Sequence, residues 1–167
     1  YFERETGQAF VSGIKVLVKV SVDFHELYGY SLTVTDIDPT YTLGDMALRR
    51  KEILKRLDEE GVLTLNKELE LPELTQRIAV ISSATAAGYG DFCNQLENNA
   101  FGFAFHSRLF PAVMQGEAVE SSIISALERI NAECDRWDVV VIIRGGGATS
   151  DLSGFDTYEL ATHCAQF

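Results

Sequence analysis

Residues 137–155 read WDVVVIIRGGGATSDLSGF, an apolar run that ends at an arginine and three glycines. Val139 to Ile143 is a short, wholly apolar and mostly β-branched run, the composition of a strand covered on both faces, as in a parallel sheet. A strand of that kind is expected at the centre of its sheet. It stops at Arg144 and the three glycines Gly145, Gly146 and Gly147. Residues without side chains let backbone N–H groups approach a ligand closely and carry little penalty for positive φ. A guanidinium beside them presents planar donors that match a phosphate or a carboxylate. The pattern predicts an anion site at the carboxyl end of a strand.

Upstream of this stretch, strand and helix signals alternate. Residues 78–82, IAVIS, predict a short buried strand and residues 88–98 a helix. Residues 101–110 predict a second strand, with Phe101, Phe103 and Phe105 on one face. Residues 117–133 carry a helical stripe of Val119, Ile123, Ala126, Leu127 and Ile130. The strand at 138–143 and a helix from Asp156 onward complete the series. Such alternation predicts an open, parallel, three-layer α/β sheet.

The amino-terminal residues follow a different rhythm. Ile14, Val16, Val18, Val20 and Val22 alternate with Lys15, Lys19 and Ser21, the period of a half-buried strand. Residues 28–37, YGYSLTVTDI, repeat the signal, so the two predict an antiparallel hairpin. Residues 42–60 then predict a helix, with Thr42 as its N-cap and Gly61 as its stop. Residues 62–76, with Pro72, read as a connector. The expected division is a partial antiparallel β segment at 1–41, a helix and linker at 42–76, and the α/β domain at 77–167. The chain begins at Tyr1 and stops at Phe167 inside a helical pattern, which reads as a fragment.

The 167 residues carry 14 Lys and Arg against 25 Asp and Glu, a net charge of −11. That balance argues against a generic nucleic-acid binder, which shows a basic footprint. It leaves room for an enzyme on DNA whose cleft is locally positive. No apolar run approaches the roughly 20 residues that span a bilayer, so no membrane association is expected. Cys93, Cys134 and Cys164 form no CxxC pair, and buried thiols in a reducing compartment are expected. His25, His106 and His163 show no metal-ligand spacing.

In an open α/β sheet, ligands bind beyond the carboxyl ends of the strands. The loop of residues 82–91, SSATAAGYGD, is small and polar until it delivers Asp91 near the start of the next helix. Its Ser82 and Ser83, with the following helix amino terminus, suit a phosphate. Asp91 could serve as a base, a metal ligand or a plain helix-end carboxylate. The loop of residues 144–151, RGGGATSD, supplies Arg144, the glycines and Asp151. Arg144 could instead be a structural ion pair. Gln115 and Gly116, in the segment 111–118, could border the same crevice. Neither glycine-bearing loop is a Walker A or GxGxxG pattern, which gives nucleotide cofactors little support.

These segments together resemble the large subunit of bacterial exodeoxyribonuclease VII. The family's strand ending in an ITS-like tripeptide, followed by a Gly-Ala-Ala-like stretch and an Asp, is similar to Ile81 to Ser83, Ala86 to Gly88 and Asp91. Its VQG loop is similar to Met114, Gln115 and Gly116. Its RGGGSxxDLxxF signature is matched by Arg144, Gly145, Gly146, Gly147, Asp151, Leu152 and Phe155. The chain departs from the pattern at Ala86, Ala148 and Asp156.

The resemblance implies hydrolysis of phosphodiester bonds in single-stranded DNA from either end, giving oligonucleotides and nucleotides with 5′-phosphates. It implies no required cofactor, with magnesium optional at most, and no resident metal site. Asp91 and Arg144 would be catalytic, with Ser82, Ser83, Gln115, Gly145, Gly146, Gly147 and Asp151 holding the substrate phosphate. The residues 1–41 would belong to an OB-like fold for single-stranded nucleic acid, and Phe24, Tyr28 and Tyr30 could stack on bases. A small subunit is the implied partner, and the location is cytoplasmic. The family's further His and Asp motif would lie beyond Phe167, so a protein ending there is expected to be inactive alone. The competing expectation is a non-catalytic α/β module that binds a phosphate or nucleotide through the same loops.

Overall fold

The computed structural model describes residues 1–7, 10, 12–145 and 154–167. These fall into two compact units, one within residues 1–52 and the other comprising the described residues from 53 onward.

The first unit begins with a short helix α1, Phe2–Thr6. Strands β1, Leu17–His25, and β2, Gly29–Asp38, pair as the antiparallel hairpin that the alternation predicts. Val20, Val22 and Phe24 lie opposite Val34, Leu32 and Tyr30, while Ser21 and Asp23 lie opposite Thr33 and Ser31 on the polar face. The register shifts between Lys19 and Val20, where Thr35 is the extra residue of a bulge. That extra residue brings Ile37 onto the apolar face, opposite Val18, which a strict period of two would have denied it. One expectation fails: the apolar face is not half-buried, and Val22, Phe24, Tyr30, Leu32 and Val34 are all exposed.

Helix α2, Pro39–Glu59, starts three residues earlier than the spacing predicts. Pro39 suits the first helical position, and the Asp38 carboxylate accepts the Thr40 N–H at 2.9 Å. Thr42 is therefore no N-cap; it is buried inside the helix and its hydroxyl donates to the Lys15 carbonyl at 2.8 Å. The carboxyl end is as expected. Gly61 takes φ +70°, and the N–H groups of Gly61 and Val62 donate to the Asp58 and Leu57 carbonyls, a Schellman closure with Leu57 and Val62 both buried.

The second unit is α/β. Strands β3, Arg77–Ser82, β4, His106–Pro111, and β5, Val139–Ile142, form a parallel sheet in the order β4-β3-β5. The central strand is thus β3, whose residues 78–82 are all buried, and not the 139–143 run. Val139 to Val141 of β5 are only half-buried and Ile142 is exposed because, among the described residues, that strand pairs on one side. Helix α3, Ala87–Glu97, links β3 to β4, and α4, Val119–Asn131, links β4 toward β5. The predicted stripe of α4 is borne out residue for residue: Val119, Ile123, Ala126, Leu127 and Ile130 join the core with Ile81, Phe110 and Leu160. Helix α5, Tyr158–Gln166, is capped by the Thr157 hydroxyl, which accepts the Leu160 N–H.

Residues 101–105 are not strand. Gly102 takes φ +71°, and the Asn99 side chain accepts the Phe103 N–H at 2.9 Å and donates to the Phe103 carbonyl at 2.7 Å. This side-chain clamp replaces a ladder and leaves Phe101 and Phe103 exposed. Cys134 is also exposed, against the expectation of buried thiols, and all three cysteines are free. No helix among the described residues is long and apolar enough to cross a membrane.

Candidate functional site

Because the three strands are parallel, their carboxyl ends at Ser82, Pro111 and Ile142 share one edge. Backbone bonds stitch the outgoing loops to that edge. The Ala112 N–H donates to the Ser82 carbonyl at 3.0 Å, and the Ile143 N–H to the Ile81 carbonyl at 2.9 Å. Ser82 itself is fully buried and its hydroxyl donates to the Ile143 carbonyl at 2.7 Å. It braces two strand exits and does not face solvent.

Above the edge lies a crevice of about 650 Å³, into which three loops converge. Ser83, Thr85 and Ala86 come from the first loop, Val113 and Gln115 from the second and Gly145 from the third. Ser83 and Thr85 hydroxyls pair at 3.1 Å, so the first loop is folded on itself. Ala86, at the N-cap of α3, offers no side-chain cap, which leaves that helix start open to an anion at the crevice wall. Gly145 faces Ala86 here: a Cβ added to it would make ordinary contact, 3.5 Å from Ala86 Cβ. Ser83, Gln115 and Gly145, three of the residues expected to hold a phosphate, are therefore brought together.

Neither Asp91 nor Arg144 lines this crevice. Asp91 is the fifth residue of α3, close to the helix start, and is exposed. Arg144 is half-buried two residues past β5. Its carbonyl oxygen lies where a Cβ on Gly88 would approach it to 3.4 Å, so the first turn of α3 rests against the β5 exit. Gly146, Gly147 and Asp151 lie outside the described residues. Among the described residues no three His, Cys, Asp or Glu side chains group to hold a metal.

Two supports of the crevice carry no sequence signal strong enough to single out. Gly154 is one: a Cβ there would lie 2.9 Å from the Gly116 carbonyl oxygen and 2.9 Å from Val119 Cβ, inside any tolerable contact. Ser122 is the other, its hydroxyl accepting the Val113 N–H at 2.8 Å and fixing the second loop from α4. A polar residue facing a loop from the next helix is legible only once the helix is placed.

Comparison with known proteins covers this unit. Residues 62–167 match the family described as "Exonuclease VII, large subunit". The chain belongs to this family. Its relatives include the exodeoxyribonuclease 7 large subunit of Deinococcus radiodurans, 36% identical over 165 residues, covering 97% of this chain and 39% of that protein. That of Nostoc sp. is 34% identical over 157 residues, covering 93% of this chain and 37% of the relative. That of Lactobacillus delbrueckii subsp. bulgaricus is 34% identical over 149 residues, with 89% and 32% covered. The chain spans less than two fifths of the length of each of these relatives. The family match starts at Val62, so it falls on the α/β unit that carries the crevice, whereas the alignment to the Deinococcus large subunit takes in the hairpin as well.

Proposed function

We propose that the α/β unit supplies part of the active site of a nuclease that hydrolyses phosphodiester bonds of single-stranded DNA as the large subunit of an exonuclease VII. The observation that carries this reading is the convergence of Ser83, Gln115 and Gly145 beside the uncapped start of α3, in a chain of this family. In the proposed chemistry a water oxygen attacks phosphorus and the bond to the 3′-oxygen breaks, leaving a 5′-phosphate on one product and a 3′-hydroxyl on the other. Arg144 stabilises the charge that builds on the phosphoryl oxygens. Asp91 positions the water or takes its proton. The α3 start, Ser83 and the Gly145 backbone cradle the non-bridging oxygens, with Gly146, Gly147 and Asp151 as the remaining phosphate-site residues of the proposal and Ser82 bracing the strand exits beneath them.

This chemistry asks for no resident cofactor, magnesium being optional at most, and it takes a small subunit as partner in a cytoplasmic enzyme. The hairpin unit belongs, in this reading, to an OB-like domain, to which its exposed apolar face is suited. The test is hydrolysis of labelled single-stranded DNA by the full-length chain with its small subunit. Asp91→Asn and Arg144→Ala should each lower kcat by about 10²- to 10³-fold. Thermal stabilisation by inorganic phosphate with no cleavage of any oligonucleotide would instead support a non-catalytic phosphate-binding module.

A further inference from the structure

At the amino-terminal edge of the parallel sheet, opposite the crevice, a second group of side chains converges that the proposed chemistry does not use. Arg77 and His106, which open β3 and β4, are register partners. With Arg108, Arg136 and Trp137 they line a recess of about 310 Å³. Among the described residues no carboxylate lines it. One carboxylate, Glu133, accepts from Arg108 Nη1 at 2.7 Å and from Arg136 Nη1 at 2.9 Å, so two guanidiniums share a single negative charge. Asp138 balances Arg77. The Arg108 and Arg136 side chains stay 56% and 71% exposed, so each keeps N–H groups to donate outward. In a chain of net charge −11, the cations and not the carboxylates line this recess.

The loop that runs into His106 adds the second observation. Phe101 and Phe103 are 82% and 62% exposed, with ring centroids 5.9 Å apart and planes 28° from parallel. The Asn99 clamp holds the backbone beneath them. Two near-parallel rings in water, on the loop that leads into His106 of the recess, offer with its guanidiniums the pairing that single-stranded nucleic acid recognises: bases stack on the rings and phosphates meet the cations. An apolar protein partner would use the rings and have no use for the recess.

We infer that this edge is a second contact for single-stranded DNA, taking bases on Phe101 and Phe103 and phosphates on Arg108 and Arg136. The inference rests on the nuclease reading and places strand outside the crevice, where it adds affinity to long substrates. It is tested in the full-length chain by fluorescence anisotropy with labelled oligothymidylates of about 30 and about 8 nucleotides. Phe101→Ala/Phe103→Ala should raise Kd for the longer strand about tenfold, and Phe101→Tyr/Phe103→Tyr should restore it. Arg108→Gln/Arg136→Gln should weaken the same binding and lower the slope of log Kd against log salt by about 1 to 2. Cleavage of the shorter strand should keep its rate and its dependence on Arg144 in all three variants. Affinity of the alanine pair for the longer strand within about twofold of wild type, with Arg144-dependent cleavage intact, overturns this inference and leaves the nuclease reading standing. Failure of the wild-type chain to bind or cleave either strand overturns both.

Discussion

Ser82 stands where a sequence reading places a phosphate ligand, yet its hydroxyl is spent on the Ile143 carbonyl at 2.7 Å in a fully buried position. Removing that donor takes the partner from the part-buried Ile143 carbonyl, which costs about 1–3 kcal/mol. Ser82→Ala should therefore lower unfolding stability by that amount in urea titration, and an unchanged midpoint would deny the brace. Gly154 makes a steeper claim. Any Cβ there meets backbone at Gly116 and the Cβ of Val119, each at 2.9 Å, and neither can swing aside. Gly154→Ala should destabilise by about 1–3 kcal/mol, read as a fall in Tm. The residue types at 82 and 154 are visible in the sequence, but which atoms they face is set by strand exits and loop returns far apart in the chain.

At the scale of elements, α4 and the sheet carry the fold. Ile123 and Ile130 lie fully buried on the α4 stripe, so Ile123→Ala should cost about 2–5 kcal/mol by chemical denaturation. That helix was legible because its apolar period is long and unbroken. The strands were legible as segments only. Alternation at Phe101, Phe103 and Phe105 imitates a strand, but a local Asn99 clamp and the positive φ of Gly102 win over it. Rank within the sheet is a tertiary property: Val139 to Ile142 has the composition of a centre strand, while β3 takes the centre by pairing on both sides. The amino edge of the sheet is tied by Asp138, which accepts the backbone N–H groups of Gln76 and Arg77 at 2.9 and 2.8 Å and pairs with the Arg77 guanidinium. Arg77 holds that carboxyl well below the usual carboxylate range, aided by the two N–H groups. A depressed folded pKa contributes stability that is present above the unfolded value, near about 4, and is lost as pH falls through the lower folded one. Wild type should thus lead Asp138→Asn in stability at neutral pH, and the gap should close in strong acid. A gap that persists unchanged in acid would contradict the tie.

Over the whole molecule, two kinds of unit meet two kinds of legibility. The hairpin's pairing was readable from alternation, but its exposed apolar face was not, since burial depends on what packs against it. The α/β class followed from the order of elements, and the crevice followed from the rule that parallel strands gather their exits on one edge. Ser83, Gln115 and Gly145 could be grouped in advance because each lies in a loop after a strand. That Asp91 does not line the crevice could not be read in advance. In the proposed chemistry this edge works on a phosphodiester with Arg144 stabilising the reacting phosphate. The single-turnover rate of single-stranded DNA hydrolysis by the full-length chain with its small subunit, wild type against Arg144→Ala at matched thermal stability, measures that role. A loss of about 10²- to 10³-fold in that rate is expected, with far less change in Kd. A rate within about threefold of wild type would contradict it.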